Sequence, residues 1–330
     1  MRHSKKPLEV EMAKKATIRF RDFPEDDSRE LFKRIINLSL NREIVEETDV
    51  KRLVDIEITG PYSGDSDSFQ TPPLTRLKRG VLSQVSAGAH LSIPSLATDI
   101  TPNSKAKFNI WYTGENQRPP YGNWDAYLSF DLKFPKENNF YLPLWFLTST
   151  DYVMQLKKSY WGSPFPSLEK LSTQRTPLKL KKKFACAFFG KNYRLRLHAL
   201  DKLRKIGKVD VFGAGARNPI DNPYEKAREY KFVLCFENDL YPGYVTEKPV
   251  EAYLSGTIPL YYGLDSAKLL NAKAMLNLND FQSQDQWLER ISELNSNTEL
   301  YNEVYAQPLL LKKPKITDLI NFLRKSLGHD

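Results

Sequence analysis

The chain is poor in the residues that most often announce a mechanism. It has two cysteines, Cys186 and Cys235, in 330 residues. Each lies in an apolar run, "FACAFF" and "FVLCFE". That excludes a disulfide-stapled secreted scaffold and reads as buried free thiols in a reducing compartment. The four histidines, His3, His90, His198 and His329, are scattered without metal-ligand spacing, so no structural metal is expected. No nucleophile elbow is present, which leaves a Ser-His or Cys-His pair without sequence support. No run approaches the ~18 consecutive apolar residues of a membrane span. The basic start "MRHSKKPLEVEMAKKATIRF" lacks the apolar core of a secretory leader. The expectation is a cytoplasmic protein, with peripheral contact at the inner face of the membrane as its one membrane association. No repeat of 20–50 residues breaks the chain into equivalent modules.

What is present suits a soluble globular protein: 41% hydrophobic and 27% charged residues. The net charge of +9 favours anionic partners. Yet "LKLKKKF" and "LLLKKPK" are short clusters, and zinc-finger, RNP and homeodomain patterns are absent, so nucleic acid is not an expected partner. Aromatics make up 12%, a level that suits sugar- or base-stacking sites as well as cores.

The length allows two domains. "ATIRF", "LVDIEITG", "FNIWYTGEN", "WDAYLSFD" and "FYLPLWFL" read as strands, with a helix over "EDDSRELFKRIINLSL", whose acidic start suits the helix dipole. A Ser-, Pro- and Lys-rich stretch follows, and then a second α/β run. Here "FACAFFG", "KVDVFGAGAR", "KFVLCF" and "TIPLYYG" read as strands. "RLHALDKLRKIG" reads as a helix with Leu197, Leu200 and Leu203 on one face and Gly207 as its stop. This predicts an α/β protein with units at 1–150 and 184–310, a connection at 151–183 and a C-terminal helix or tail at 311–330. That last segment, "ITDLINFLRKSLGHD", is amphipathic and reads as packed on the first unit, with membrane-surface docking as the alternative.

One stretch stands out. "FENDLYPGYVTEK", Phe236–Lys248, crowds charge and aromatic surface between two apolar runs. Val250, Tyr253 and Leu254 have helical spacing after it, Thr246 suits an N-cap, Pro249 fits the first turn and Gly256 fits the C′ position. The loop then lies at the carboxyl end of a parallel strand, where such sheets bind ligands. Lys248 would stand in the first helical turn, against the dipole; either an anionic ligand resolves that conflict or the ammonium snorkels to solvent. Arg196 is a phosphate partner or a surface ion pair. "FGAGAR" is a diphosphate-approaching turn or merely a tight one, since the full dinucleotide fingerprint is missing. Glu115, in "YTGENQRPP" after a strand of the first unit, is a general base or an exposed turn residue.

Two of these stretches together resemble a known family. "KFVLCFENDLYPGYVTEKPVEAYLSGTIPLYYG" is similar to the signature of the α-1,3/α-1,4-fucosyltransferases of glycosyltransferase family 10, and "YTGENQRPP…DAYLSFD" resembles the corresponding segment of bacterial members. The resemblance runs through most of residues 16–305. It implies a GT-B fold, two Rossmann-like domains facing a cleft, the first binding the acceptor and the second GDP-fucose. It implies inverting transfer of L-fucose to a GlcNAc-containing oligosaccharide or lipid-linked glycan, such as a lipopolysaccharide O-chain or a Lewis-type structure. By the motif, Glu115 would be the general base, and Asn238, Tyr244, Glu247 and Lys248 would hold the donor with Arg196, for which Arg194 is the rival. No cofactor or bound metal is implied, divalent metal acting at most as a stimulant. The alternatives are a family member using another GDP-sugar, or an inactive glycan- or nucleotide-binding protein. The segment Asp239–Pro242 departs from the family's small, glycine-rich loop. The chain also lacks the C-terminal heptads of some bacterial members and the membrane anchor of animal ones.

Overall fold

Two parallel sheets organise the chain. The structure is a computed structural model describing residues 15–23, 27–60, 100–114, 116–135, 137–146, 167–177, 183–190 and 194–328. The first sheet contains β1 (Lys15–Arg21), β2 (Glu43–Glu46), β3 (Val54–Thr59), β4 (Ala106–Tyr112), β5 (Ala126–Ser129) and β6 (Asn139–Tyr141), in the order β2-β1-β3-β4-β5-β6. The second contains β7 (Lys183–Phe188), β8 (Val209–Phe212), β9 (Tyr230–Phe236), β10 (Ile258–Tyr262) and β11 (Leu276–Asn277), in the order β11-β10-β9-β7-β8. Counted along its own segment, each sheet runs 2-1-3-4-5, and the first adds a sixth strand at the far edge. Every pairing among these strands is parallel. In this doubly wound order the direction of winding reverses between the first and third strands, and ligands collect at the carboxyl ends.

The local chemistry explains the elements. In β9 all but one residue are buried and in β10 all are, as expected of central parallel strands covered on both faces by helices. The α-helices among the described residues, in chain order, are α1 (Asp27–Leu40), α2 (Leu168–Ser172), α3 (Arg194–Leu203), α4 (Pro223–Ala227), α5 (Lys248–Leu254), α6 (Gln284–Ser296), α7 (Thr298–Tyr305) and α8 (Ile316–Ser326). Asn222, Ser283 and Asn297 cap α4, α6 and α7 through their side chains. Gly256, with φ of +70°, closes α5 in the left-handed conformation that glycine adopts without cost.

Several local expectations are corrected. "FYLPLWFL" is a strand only over Asn139–Tyr141; Pro143 ends it, and Trp145 and Phe146 turn into the core instead. Leu197 is exposed, and the inward stripe of α3 is Arg196, Ala199, Leu200 and Leu203. The edge strands β2 and β11 were not evident in the sequence. Part of the connecting segment is pinned to the second unit. The Arg175 guanidinium lies between the rings of Tyr253 and Tyr305, at 3.8 and 3.9 Å, and donates to the carbonyls of Tyr305, Tyr253 and Thr257. At the other end of the chain, α8 returns to the first unit. Its Leu319 and Leu323 are buried, Phe322 meets Phe140, and Arg324 donates to the Leu38 and Ser39 carbonyls at the end of α1.

Candidate active site

The site is built from the carboxyl end of β9 outward. Because Arg196 shares the inward stripe of α3, its guanidinium reaches the last residues of that strand. Its Nη2 donates to the Phe236 carbonyl at 2.7 Å and to Asn238 Oδ1 at 2.5 Å. The rival, Arg194, is exposed on the opposite face. Asn238 is itself exposed, so the Arg196–Asn238 pair stands where β9 opens to solvent.

Glu237 then turns inward. Its carboxylate is fully buried and accepts four hydrogen bonds: from Thr246 N (2.9 Å), Thr246 Oγ1 (2.8 Å), Tyr261 OH (3.1 Å) and Lys248 Nζ (3.1 Å). A buried charge is tolerated only with this degree of pairing. The carboxylate thereby ties the end of β9 to the start of α5 and closes the intervening loop at its base. Two expectations change in consequence. Thr246 lies one residue before the N-cap position of α5, which Glu247 holds without a side-chain cap bond; the Thr246 hydroxyl donates to Glu237 and accepts from Lys248 Nζ at 2.9 Å and from the Lys248 backbone N–H at 3.4 Å. Lys248 does not snorkel to solvent either, and the anion that answers its place in the first turn is Glu237. Burial works against the Lys248 ammonium, but the carboxylates of Glu237 and Glu247 outweigh it and hold the pKa above the usual lysine range. Glu247 is half-buried, with Oε1 3.9 Å from the same ammonium.

The distal part of the loop meets the first unit. Tyr244 is buried with its ring 4.9 Å from Phe130, edge to face. Tyr241 donates its hydroxyl to Asp131 Oδ1 at 2.8 Å; burial and then the Asp131 carboxylate push its pKa up to about 12, so it remains a donor. Asp239 Oδ2 accepts from Arg118 Nη2 at 2.6 Å and from Asn116 Nδ2 at 3.4 Å, and Arg118 Nη1 donates to Asn116 Oδ1 at 2.8 Å. Tyr141 OH donates to the Gly243 carbonyl at 3.2 Å. Gly243, with φ of +88°, lies so close to the Phe130 carbonyl that a Cβ would stand 2.2 Å from its oxygen. The carboxyl ends of the two sheets therefore face each other. Glu115 lies outside the described residues; Asn116, next in the chain, is one of the residues facing Asp239.

The glycines of "FGAGAR" form a tight turn. Gly213, with φ of +100°, packs where a Cβ would be 2.5 Å from the Phe189 carbonyl oxygen, and the Gly215 N–H donates to that same oxygen. The turn folds the end of β8 onto the end of β7, with the Gly215 N–H used there and the Gly213 N–H used by the Asn218 carbonyl. Of the sequence-derived residues, the structure gathers Arg196, Asn238, Glu247 and Lys248 around the end of β9 and places Tyr244 on the first unit's Phe130. The sequence alone assigns no part to Glu237, Tyr261, Arg118 or Asp239. Glu237 and Tyr261 were inside the quoted motif, but no local pattern signals a bond between them. Among the described residues, no group of three or more His, Cys, Asp or Glu is placed to hold a metal ion, and no helix is long and apolar enough to cross a membrane.

Two doubly wound units with facing carboxyl ends, one carrying cations at its central strand, make up a GT-B fold. Residues 178–307 match the family described as glycosyltransferase family 10 (fucosyltransferase) C-term. The chain is 30% identical over 227 residues to an alpha-(1,3)-fucosyltransferase of Helicobacter pylori, covering 61% of this chain and 47% of the relative. It is 28% identical over 204 residues to a human 4-galactosyl-N-acetylglucosaminide 3-alpha-L-fucosyltransferase, covering 56% of this chain and 54% of the relative. The chain thus spans about half the length of these curated relatives. Crystal structures of an alpha1,3-fucosyltransferase share the fold. One superposes with a TM-score of 0.65 at 24% identity over 99% of this chain and 94% of the other. Another, with GDP-fucose, gives 0.63 at 22% identity with the same coverage.

Proposed function

We propose that the protein is an inverting α-1,3-fucosyltransferase that moves L-fucose from GDP-fucose to a GlcNAc-containing glycan. The observation that carries this reading is the arrangement at the end of β9: Arg196 hydrogen-bonded to the exposed Asn238, with Lys248 held protonated close by, on the segment that matches the family. Relatives named as fucosyltransferases, and a similarly folded enzyme with GDP-fucose, favour that donor. In the reaction an acceptor hydroxyl oxygen attacks the anomeric carbon as the bond from that carbon to the diphosphate oxygen breaks. The acceptor's proton passes to Glu115 and GDP leaves with the bonding pair. Fixed cations stabilise the charge growing on the diphosphate without reorganising at the moment of transfer. Arg196 and Lys248 are the residues for that work, while Asn238, Tyr244 and Glu247 shape the donor end. Glu115, on the opposite unit, takes the proton across the cleft, and approach of the two units excludes the water that would hydrolyse the donor.

The acceptor we favour is an oligosaccharide or lipid-linked glycan of the cell surface, of the lipopolysaccharide O-chain or Lewis type, handled at the inner face of the membrane. The test is transfer from GDP-fucose, GDP-mannose and GDP-arabinose to N-acetyllactosamine. Fucose transfer supports the reading; transfer of another sugar alone moves the protein to a different donor, and no transfer to any β-galactoside or GlcNAc acceptor sinks it. Glu115→Gln should abolish turnover and leave GDP binding intact, which separates an enzyme from a glycan- or nucleotide-binding protein.

A further inference from the structure

The part of the loop that leaves the family pattern, Asp239–Pro242, has a physical role in this chain. The side chains of Asp239 and Tyr241 cross to the first unit. Arg118 is buried, with 6% of its side chain exposed, and its guanidinium lies 3.6 Å from the centre of the Tyr241 ring and 5.1 Å from that of Phe130. Its two terminal nitrogens are divided. Nη2 goes to Asp239 on the second unit, and Nη1 goes to Asn116 on its own. Asp239 also accepts from Asn116, so three side chains form a closed triangle spanning the two carboxyl ends. Tyr241, the ring beneath the guanidinium, is fixed in turn by Asp131.

A buried ion pair of this kind returns little net stability, because desolvation offsets most of the attraction; its use is to fix one arrangement among several. The arrangement fixed here has two ends. Asp239 is next to Asn238, which bonds Arg196, and Asn116 directly follows Glu115. We propose that Asp239 is a positioning residue: through Arg118 and Asn116 it holds the turn after β4 at a set distance from the end of β9, so that the acceptor side and the donor side of the site are registered. The proposal rests on the transferase reading for its consequence in turnover, and on geometry alone for the latch itself. Misplacement of a reacting group by about 1 Å costs on the order of 100-fold in rate.

The full chain is assayed with GDP-fucose and N-acetyllactosamine, at a temperature well below the midpoint of unfolding of every variant. Asp239→Ala and Arg118→Ala should each lower kcat by about 10- to 100-fold. The dissociation constant for GDP, by calorimetry, should stay within about 3-fold, because the latch does not touch the donor. The double variant should be no worse than either single one, since both break one triangle. Asp239→Glu should restore part of the rate, and Asp239→Asn, which keeps shape and loses charge, should behave like Asp239→Ala. An Asp239→Ala enzyme with unchanged kcat overturns the proposal. So does a loss of GDP affinity in proportion to the loss of kcat/KM, which would make Asp239 a donor contact. If the wild-type protein transfers no fucose, the function is at fault and the latch is judged by amide hydrogen exchange. Asp239→Ala should then speed exchange over residues 111–118 and leave β7 unchanged, whereas identical exchange in the two proteins refutes the latch.

Discussion

Both sheets bury a glutamate, and they use it differently. In the first, Glu57 lies inside β3 between two arginines of β1: Arg19 Nη1 at 3.5 Å from Oε2 and Arg21 Nε at 3.1 Å from Oε1, with Asn103 Nδ2 at 2.5 Å. In the second, Glu237 lies one residue beyond β9 and is paired, among the described residues, with one cation, Lys248, together with two hydroxyls and one backbone N–H. The same strand order therefore carries two kinds of buried charge. One crosslinks neighbouring strands within the sheet and has a cation to spare. The other shapes a loop at the carboxyl end, where a sheet of this order binds ligands, and has none to spare.

The largest expected effect follows from that difference. Lys248→Met leaves Glu237 as a buried carboxylate without a cation, which should cost about 3–5 kcal/mol by chemical denaturation and remove fucose transfer. Arg19→Met leaves Glu57 its pairing to Arg21, and should cost clearly less while transfer persists. Combining Lys248→Met with Glu237→Gln removes the stranded charge, so stability should recover while transfer does not. Equal destabilisation by Lys248→Met and Arg19→Met would break the comparison, and recovery of transfer in the double variant would make Lys248 only a structural partner.

The second comparison sets two glycines against each other. Gly243 and Gly213 both have positive φ and both press on a carbonyl oxygen, that of Phe130 on the other unit and that of Phe189 on the same unit. Each change to alanine should cost roughly 1–3 kcal/mol from strained backbone. Gly213→Ala should disturb the β7 and β8 ends alone. Gly243→Ala pushes the units apart, so it should also lower kcat and enlarge the radius measured by small-angle scattering. An unchanged radius in Gly243→Ala would show that the strain is absorbed within the loop.

How much of this was legible beforehand depends on the range of the interactions. The central strands β9 and β10 were readable because they are continuous apolar runs, and the end of α5 because only glycine suits the left-handed residue at 256. Strands β2 and β11 were not, since a four-residue edge strand with alternating exposure and a two-residue strand carry no run to detect. Thr246 has the right chemistry for a cap, but it lies one residue before the N-cap position, where its hydroxyl donates to the buried Glu237 carboxylate while its oxygen accepts from Lys248. Leu197 satisfied a leucine spacing that Arg196 in fact occupies, because a guanidinium with two acceptors can be buried where the periodicity suggests an aliphatic side chain. The site residues of the second unit were legible as a motif, whereas the pairing of Arg118 with Asp239 joins residues 121 positions apart and leaves no local trace.

A third contrast tests the two arginines of α3. Arg196 is buried against the end of β9 and Arg194 points to solvent. Arg196→Lys keeps the charge but loses the fork that reaches the Phe236 carbonyl and Asn238 together, so KM for GDP-fucose should rise about tenfold, the equivalent of about 1.4 kcal/mol. Arg194→Ala should leave it unchanged. The reverse result would transfer the donor role to Arg194.

The smallest effect expected is a difference in the sign of pH dependence between the units. Asp55, on β3, is subject to some burial, but the Lys107 ammonium and the Thr17 N–H and hydroxyl outweigh it and hold its carboxyl below the usual range. Its contribution to stability is present above the unfolded pKa, about 3.9, and is lost as pH falls through the lower folded value. Asp265, after β10, is raised by burial, against which the Leu270 N–H works only in part. Its contribution runs the other way: it is fully present below the unfolded pKa and is lost as pH rises through the folded value. Asp55→Asn should therefore flatten the loss of stability on the acid side, by no more than about 1 kcal/mol for so exposed a partner as Lys107. Asp265→Asn should remove a decline that sets in as pH rises above about 4. Denaturation curves at half-unit steps between about pH 3 and 7 resolve both, and changes in slope from wild type of the same sign in the two variants would overturn the assignment of opposite environments to these two carboxyls.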